Sequence, residues 1–192
     1  METVLIISNS EKSSKMLKDL ILSKYSFNIN IAHSAEEAKL KILKESYELI
    51  IINTPLRDDQ DNNLPFFFSK STIAGIMVIL KSNASKALAD KLQEEGIITL
   101  SNPINPSLFF QGMEAGFTLY KRMVKLKKEN IRMQKKLQEL QIVFRAKCTL
   151  IQHFNFSEEE AHRFLEKRAM DTRESLKETA EYIIALYSNG NG

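Results

Sequence analysis

The sequence predicts an α/β domain with a five-stranded parallel sheet, followed by a long coiled-coil helix and a small all-α domain of three helices. Five short apolar runs, rich in β-branched residues, alternate with amphipathic helical segments in the first 100 residues. This alternation is typical of a parallel sheet that helices cover on both faces. After Pro106 the chain has no proline, and residues 117–151 have no glycine, so a long helix can follow without a break. Three shorter helical patterns then occupy residues 144–187.

The apolar runs mark the strands of the predicted sheet, and apolar faces mark the helices between them. The strands are Val4–Ile7, Asn28–Ala32, Leu49–Ile52, Ile76–Leu80 and Gly96–Leu100. The first helix is predicted to bury Met16, Leu17, Leu20 and Ile21. The second, which Ser34 caps, is predicted to bury Ala35, Ala38, Ile42 and Leu43. A further helix covers residues 84–94. Ligands of such sheets bind at the carboxyl ends of the strands, so we expect any chemistry of this domain there.

The composition is that of an ordinary globular protein. Hydrophobic residues make up 43% and charged residues 27% of the 192 residues, enough for a substantial core. No apolar run approaches the roughly 20 residues that a membrane-spanning helix needs. No basic region precedes the first apolar run, so we expect a buried strand there and not a signal peptide. A single cysteine, Cys148, argues against a disulfide framework and a metal site. We therefore expect a cytoplasmic protein without cofactor or metal, and no catalytic constellation indicates an enzyme.

The basic charge lies in the C-terminal part of the chain. Residues 1–110 contain 12 basic and 13 acidic residues, whereas residues 111–192 contain 15 basic and 11 acidic residues. Between positions 121 and 136 only Glu129 opposes eight bases, which are Lys121, Arg122, Lys125, Lys127, Lys128, Arg132, Lys135 and Lys136. Such a segment suits a polyanion through counterion release, although a solvated helix face is the alternative.

A heptad pattern in the same region predicts a coiled coil. Apolar residues recur at alternating spacings of four and three, and the seam consists of Leu119, Met123, Leu126, Asn130, Met133, Leu137 and Leu140. With Leu126, Met133 and Leu140 at d positions, Asn130 falls at an a position and favours a parallel pair of helices. The alternative is a single long helix that packs its stripe against the first domain.

The last quarter of the chain contains three short helical patterns. Ala146, Leu150 and Ile151 continue the apolar face of the long helix, and residues 154–156 break it. Ser157 and Glu160 form a predicted capping box for a second helix. That helix is predicted to bury Ala161, Phe164, Leu165 and Ala169. The third is predicted to begin at Asp171 or Thr172 and to bury Leu176, Ala180, Ile183 and Ile184.

Residues in this region resemble the ANTAR domain, an RNA-binding module of bacterial transcription antiterminators. The resemblance covers about 45 residues and is carried by Ala146-Lys147, Leu150, Ser157 to Ala161, Ala169-Met170, and Leu176 with Ala180. It implies binding to tandem hairpins in leader mRNA, which stabilises them so that an overlapping terminator cannot form. A homodimer through the predicted coiled coil suits this mechanism. Two linked modules can grip two hairpins with avidity.

The predicted RNA contacts are basic or polar residues around the three short helices. The principal ones are Lys147, Arg168, Thr172 and Arg173, and the supporting ones are Arg145, Arg163 and Lys177. An arginine can bind phosphate through two nitrogens or stack on an exposed base. A solvated charge is the alternative for each. Tyr182 and Tyr187 are expected to pack in or at the edge of the core, and stacking on bases is the alternative for them.

The order of elements in residues 3–118, and the Asn-Pro after the last strand, resemble a response-regulator receiver domain of flavodoxin-like fold. In that family an acidic pair binds magnesium, an aspartate accepts phosphate, and a hydroxyl residue and a lysine end later strands. The corresponding positions here hold Ser8, Asn9, Asn53, Lys81 and Asn102. Magnesium prefers carboxylate oxygens and an amide cannot accept phosphate, so we predict a degenerate phosphoacceptor site. Asp58, Asp59 and Asp61 are expected in a solvated loop.

These patterns divide the chain into three predicted parts: a pseudo-receiver at 1–118, a coiled-coil linker at 119–143 and an ANTAR-like domain at 144–188. The pseudo-receiver is expected to bind a sensor or regulatory protein, or to serve only as a scaffold. Two other functions remain open, a DNA-binding regulator and a coiled-coil adaptor without nucleic-acid binding. The third helix offers Glu174, Glu178 and Glu181 on its outer face, which disfavours insertion into the major groove of DNA.

Overall fold

A computed structural model describes residues 2–188 and contains the predicted five-stranded parallel sheet. The strands, in the spatial order β2-β1-β3-β4-β5, are β1 (Thr3–Ile7), β2 (Asn28–Ala32), β3 (Leu49–Asn53), β4 (Gly75–Lys81) and β5 (Ile98–Asn102). The helices that accompany them are α1 (Glu11–Leu22), α2 (Ala35–Lys44), α3 (Leu64–Ser71), α4 (Lys86–Glu94) and α5 (Pro106–Phe154). The α/β prediction is therefore confirmed, while Met1 of the predicted first domain lies outside the described residues.

Successive residues of each central strand enter two separate apolar layers. Leu5, Ile50 and Val78 face one layer, which α2, α3 and α4 cover. Val4 and Ile51 face the other, which α1 and the first turns of α5 cover. Because both faces are buried, the strands need apolar side chains at consecutive positions, which explains their nearly continuous hydrophobic runs.

Two glycines let α5 approach the sheet closely. A Cβ atom at Gly112 would lie 2.9 Å from the sulfur of Met77, and one at Gly116 would lie 2.5 Å from a methyl group of Leu49. A Cβ atom at Gly75 would collide with the backbone of Gly116. Larger residues at these positions would therefore push the helix away from β3 and β4.

The structure corrects three details of the sequence prediction in this unit. It contains α3, which was not predicted because the apolar residues of LPFFFSKS are contiguous and show no helical periodicity. Met16 is 50% exposed and Leu43 is 81% exposed, although both were predicted to be buried. The buried face of α1 is formed by Leu17 and Ile21, as predicted, together with Ser14, at spacings of three and four.

α5 is helical throughout the predicted coiled-coil segment, and the predicted seam residues are largely exposed. The exposed fraction of the apolar seam side chains ranges from 37% at Leu119 to 66% at Met133. The chain divides into two compact units, with the boundary between Leu126 and Lys127. Among the described residues no helix is long and apolar enough to cross a membrane.

The end of α5 packs with α6 (Glu158–Thr172) and α7 (Leu176–Ser188) around a small core of their own. Its fully buried side chains include Ala146, Leu150, Leu165 and Ala180, as predicted. Phe164 was expected in this core but is 38% exposed.

The start of the last helix was predicted five or four residues too early. Arg173 adopts a left-handed conformation (φ 58°) that ends α6. Ser175 then caps α7: its hydroxyl accepts from the Glu178 amide at 3.2 Å, and the Glu178 carboxylate accepts from the Ser175 amide at 2.8 Å. This second capping box, Ser-x-x-Glu, was present in the sequence but was not used in the prediction.

Candidate nucleic-acid interface

The residues of the predicted degenerate phosphoacceptor site lie at the carboxyl edge of the sheet. Asn53, Lys81 and Asn102 end β3, β4 and β5, and Ser8 directly follows β1. The Asn53 side-chain amide donates a hydrogen bond to the Ser8 hydroxyl at 3.1 Å, and Ser8 is fully buried. Asn9 is half-buried, and Lys81 and Asn102 are exposed neighbours in the β4–β5 register. At this edge of the sheet, Ser8 and Asn53 form a neutral hydrogen-bonded pair.

Two aspartates of the loop beyond β3 accept hydrogen bonds at the starts of helices, a role that the expectation of a solvated loop did not include. The Asp58 carboxylate accepts from the amides of Ala35 at 3.0 Å and Glu36 at 3.1 Å, at the start of α2. These two hydrogen bonds, the one from Ala35 above all, lower the pKa of Asp58. The Asp59 carboxylate accepts from two amides at the start of α3, each at 2.9 Å. Both carboxylates therefore satisfy helical amides that would otherwise lack partners.

In the C-terminal unit, two of the predicted RNA-binding residues pair with the first turn of α6. The Lys147 ammonium group donates to the Glu158 carboxylate at 2.6 Å, and the Lys147 side chain is only 16% exposed. The hydrogen bond from Lys147 lowers the pKa of Glu158. Arg163 lies 3.8 Å from the carboxylate of Glu159 and is largely exposed. Internal acids thus compete with any phosphate for these two cations.

Three further predicted residues come together where α6 ends. The Thr172 hydroxyl lies 2.9 Å from the Arg168 carbonyl oxygen, and Arg173 follows directly with its side chain exposed. The guanidinium carbon of Arg168 lies 4.5 Å from the ring centre of Tyr182 on α7, close enough for a cation–π interaction. The Arg168 Nε atom is shielded from solvent and has no hydrogen-bond partner among the residues that the structure describes.

Tyr182 belongs to this cluster, although the sequence analysis favoured packing over base stacking for it. It was expected to pack in or near the core but is 48% exposed. The signal was available, because Tyr182 lies outside the inner face that Leu176, Ala180 and Ile183 define along α7. An exposed ring that carries an arginine offers a flat cationic surface on which a base can stack.

The remaining two predicted residues lie apart from this cluster. The Lys177 ammonium group lies 3.5 Å from the carboxylate of Glu181. Lys177 also lines a cleft of about 280 Å³ between the start of α7 and α5, together with Lys136, Glu139, Leu140, Val143, Ser175 and Leu176. Arg145 is exposed and forms no ion pair within the described part of the chain.

Comparison with known protein families shows which domain these helices resemble. Residues 132–184 match the family model of the ANTAR domain. The C-terminal unit of this chain carries an ANTAR domain. The ANTAR match includes the end of α5, all of α6 and most of α7, so it contains all seven predicted RNA-binding residues. An ANTAR domain that follows a receiver fold is the architecture of a regulator of transcription antitermination.

Solved structures share the fold over about two thirds of this chain or more. A two-component response regulator from Clostridium difficile has a TM-score of 0.55 at 22% identity, covering 64% of this chain and 98% of that one. A protein described as an adenylate cyclase from Rhodopirellula baltica has a TM-score of 0.59 at 15% identity, covering 68% and 97%. The response regulator StyR has a TM-score of 0.63 at 12% identity, covering 97% and 99%. These identities establish a shared fold and not a shared activity. No curated protein matches this chain.

Proposed function

We propose that this protein is an RNA-binding antitermination regulator that binds tandem hairpins of a leader mRNA as a homodimer. The observation that carries the proposal is the Arg168–Tyr182 pair on the ANTAR domain, next to Arg173 and Thr172. Unpaired bases of RNA loops can stack on aromatic rings and on guanidinium planes, and arginine can also bind phosphate. The Arg168–Tyr182 pair offers a ring and a guanidinium plane, and the exposed Arg173 offers a phosphate contact near the end of the same helix.

The dimer is supported by the exposed heptad seam of α5. About half or more of each apolar seam side chain is exposed at Leu126, Met133, Leu137 and Leu140. These side chains form a continuous apolar stripe along the helix, which a partner can bury. A second copy of the same helix covers it in register, since the Asn130 amide can pair with its twin across the axis. Two ANTAR domains are then available to one RNA, and the second hairpin binds at a high effective concentration.

Control without receiver phosphorylation is supported by the carboxyl edge of the sheet. The Asn53 side chain donates a hydrogen bond to the Ser8 hydroxyl, and backbone amides donate hydrogen bonds to the carboxylates of Asp58 and Asp59. None of these groups offers the free carboxylate cage that magnesium and a phosphoryl group need. Regulation by a sensor protein that binds the pseudo-receiver is the mode that fits this surface.

Binding of the full-length protein to a tandem-hairpin RNA tests the proposal. Affinity is measured at about 0.1 M salt, where charge effects are strongly screened beyond roughly 10 Å. The controls are a scrambled RNA of equal length and a DNA duplex. Preference for the hairpins, with two protomers bound per RNA, is expected. Equal binding to duplex DNA would indicate the DNA-binding alternative, and absence of any nucleic-acid binding by a folded protein would indicate an adaptor.

A further inference from the structure

One face of α5 carries a second basic surface, separate from the Arg168 cluster. It consists of Lys128, Arg132, Lys135 and Lys136, which we call the basic ridge. All four side chains are exposed, and none forms an ion pair within residues 2–188. Their spacings of four, three and one place Lys128, Arg132 and Lys135 on one face of the helix, away from the seam at Asn130 and Met133.

The ridge differs from an ordinary solvated helix face because basic residues dominate it. The acids of α5 within four residues of it are Glu129 and Glu139, and neither forms an ion pair in the described part of the chain. Lys128–Arg132 and Arg132–Lys136 are like-charged pairs four residues apart, and Arg132–Lys135 is one three residues apart. Such pairs destabilise an isolated helix, whereas alternating signs would stabilise it. An anionic partner would neutralise these charges and remove the repulsion between them, so this helix face is suited to binding one.

The basic ridge also reaches a cleft between two helices of the ANTAR domain. Lys136 lines the cleft of about 280 Å³ at which α5 meets the first turn of α7, and Lys177 lines the same cleft from the other side. Lys128 and Lys136 are eight residues apart, so the ridge spans about 12 Å along the helix axis. A rigid, linear row of this kind fits a regular array of phosphates better than a folded loop.

We infer that the basic ridge binds the sugar-phosphate backbone of the RNA stem, while the Arg168 cluster meets unpaired nucleotides. This inference rests on the proposed function and names which part of the hairpin this surface holds. Each lysine or arginine that neutralises a phosphate releases condensed counterions, so the contribution is independent of sequence and falls with salt. The ridge therefore supplies affinity, and the loop contacts supply selectivity.

The test is a variant that neutralises the ridge, Lys128→Gln, Arg132→Gln, Lys135→Gln and Lys136→Gln together. A matched control changes four exposed lysines of the other unit, Lys12, Lys15, Lys44 and Lys86, to glutamine and removes the same net charge. Circular dichroism and sedimentation establish that both variants keep their helix content and oligomeric state. Binding to a tandem-hairpin RNA is then measured over a range of salt concentrations.

The ridge variant is expected to bind hairpin RNA about tenfold more weakly or worse. The magnitude of its log–log salt slope should fall by about three, since each lost phosphate contact removes close to one. The control variant should keep the wild-type slope, and a blunt RNA duplex without loops should show the same loss as the hairpin.

Three outcomes would overturn the inference. The first is wild-type affinity and slope in the ridge variant. The second is a loss confined to single-stranded loop RNA. The third is unchanged hairpin binding combined with lost binding to phosphatidylserine vesicles, which would assign the ridge to a membrane surface. If the wild-type protein binds no hairpin RNA, the proposed function fails first, so the two failures are distinguishable.

Discussion

The guanidinium carbon of Arg168 lies 4.5 Å from the centre of the Tyr182 ring and joins the end of α6 to the outer face of α7. The ring holds the guanidinium group in one orientation, so less conformational entropy is lost when RNA binds. Replacing Arg168 by alanine should weaken hairpin binding about tenfold, which corresponds to roughly 1.4 kcal/mol. Tyr182→Leu should cause a similar loss, whereas Tyr182→Phe keeps the ring and should bind like the wild type.

A double-mutant cycle separates this role from a general effect on folding. If Tyr182 acts by orienting Arg168, the loss in the double variant Arg168→Ala/Tyr182→Leu should be clearly smaller than the two single losses combined. Additive losses would indicate that the residues act independently. Urea unfolding of each variant establishes whether the fold is retained.

The ion pair between Lys147 and Glu158 predicts a gain of RNA binding. The Glu158 carboxylate lies 2.6 Å from the Lys147 ammonium group, so a phosphate that binds Lys147 must displace this carboxylate. Glu158→Gln should raise the affinity for hairpin RNA several-fold, because Lys147 then has no competing carboxylate. Glu94→Gln, at an exposed position on α4, removes the same charge and should leave the affinity unchanged. Unchanged or weaker binding by Glu158→Gln would argue that Lys147 has a structural role.

Much of the fold could be predicted because the strands and most helices have a recognisable pattern of apolar or capping residues. The β strands are buried on both faces, so their apolar runs are unambiguous, and the Ser157–Glu160 capping box marks the start of α6. α3 has no such pattern, because its apolar residues are adjacent, and it was missed. The left-handed Arg173 that ends α6 was also missed, because glycine or asparagine usually occupies that position.

The candidate site was predictable in composition but not in pairing. The arginines and lysines of the ANTAR domain are visible in the sequence, yet their partners depend on which helices meet. Lys147 pairs with a glutamate 11 residues later, and Arg168 stacks on a tyrosine 14 residues later, across turns whose geometry no local pattern fixes. Asp58 likewise caps a helix that precedes it by more than 20 residues.

The polar residue in the heptad seam predicts a specific oligomer. Asn130→Leu should disturb the two-stranded state and produce larger or mixed assemblies, because a buried asparagine at an a position limits both register and number of strands. Gln138→Leu adds similar apolar bulk at an exposed position away from the seam and should not change the assembly. Sedimentation equilibrium measures both. A wild-type protein that stays monomeric at micromolar concentration would contradict the coiled-coil dimer.

The hydrogen-bonded pair of Ser8 and Asn53 predicts that the receiver fold does not accept phosphate. Incubation with a small-molecule phosphodonor and magnesium should leave the intact mass unchanged, because the centre of the site has an amide where an acceptor carboxylate is needed. A phosphate adduct near Asn53, together with altered RNA binding, would refute regulation without phosphorylation. A receiver domain with an intact acceptor aspartate, treated in parallel, verifies the reagent.

The Asp58 carboxylate predicts an acid-dependent loss of stability. Hydrogen bonds from Ala35 and Glu36 hold the pKa of Asp58 below its ordinary value of 3.8. Since the folded state favours the ionised form, this contribution is fully present above that value and is lost as the pH falls through the lowered pKa. Asp58→Ala should therefore reduce the free energy of unfolding near pH 7 by about 1 kcal/mol, as for other lost helix caps.

Urea unfolding of the full chain at several pH values isolates this effect. The difference between the wild type and Asp58→Ala should be constant from about pH 5 to 7 and shrink towards zero in stronger acid, where the wild-type carboxylate is also protonated. Asp61→Ala is the matched control, because Asp61 is exposed and caps no helix in the described structure. A difference that persists unchanged at low pH would mean that Asp58 stabilises α2 through packing and not through its charge.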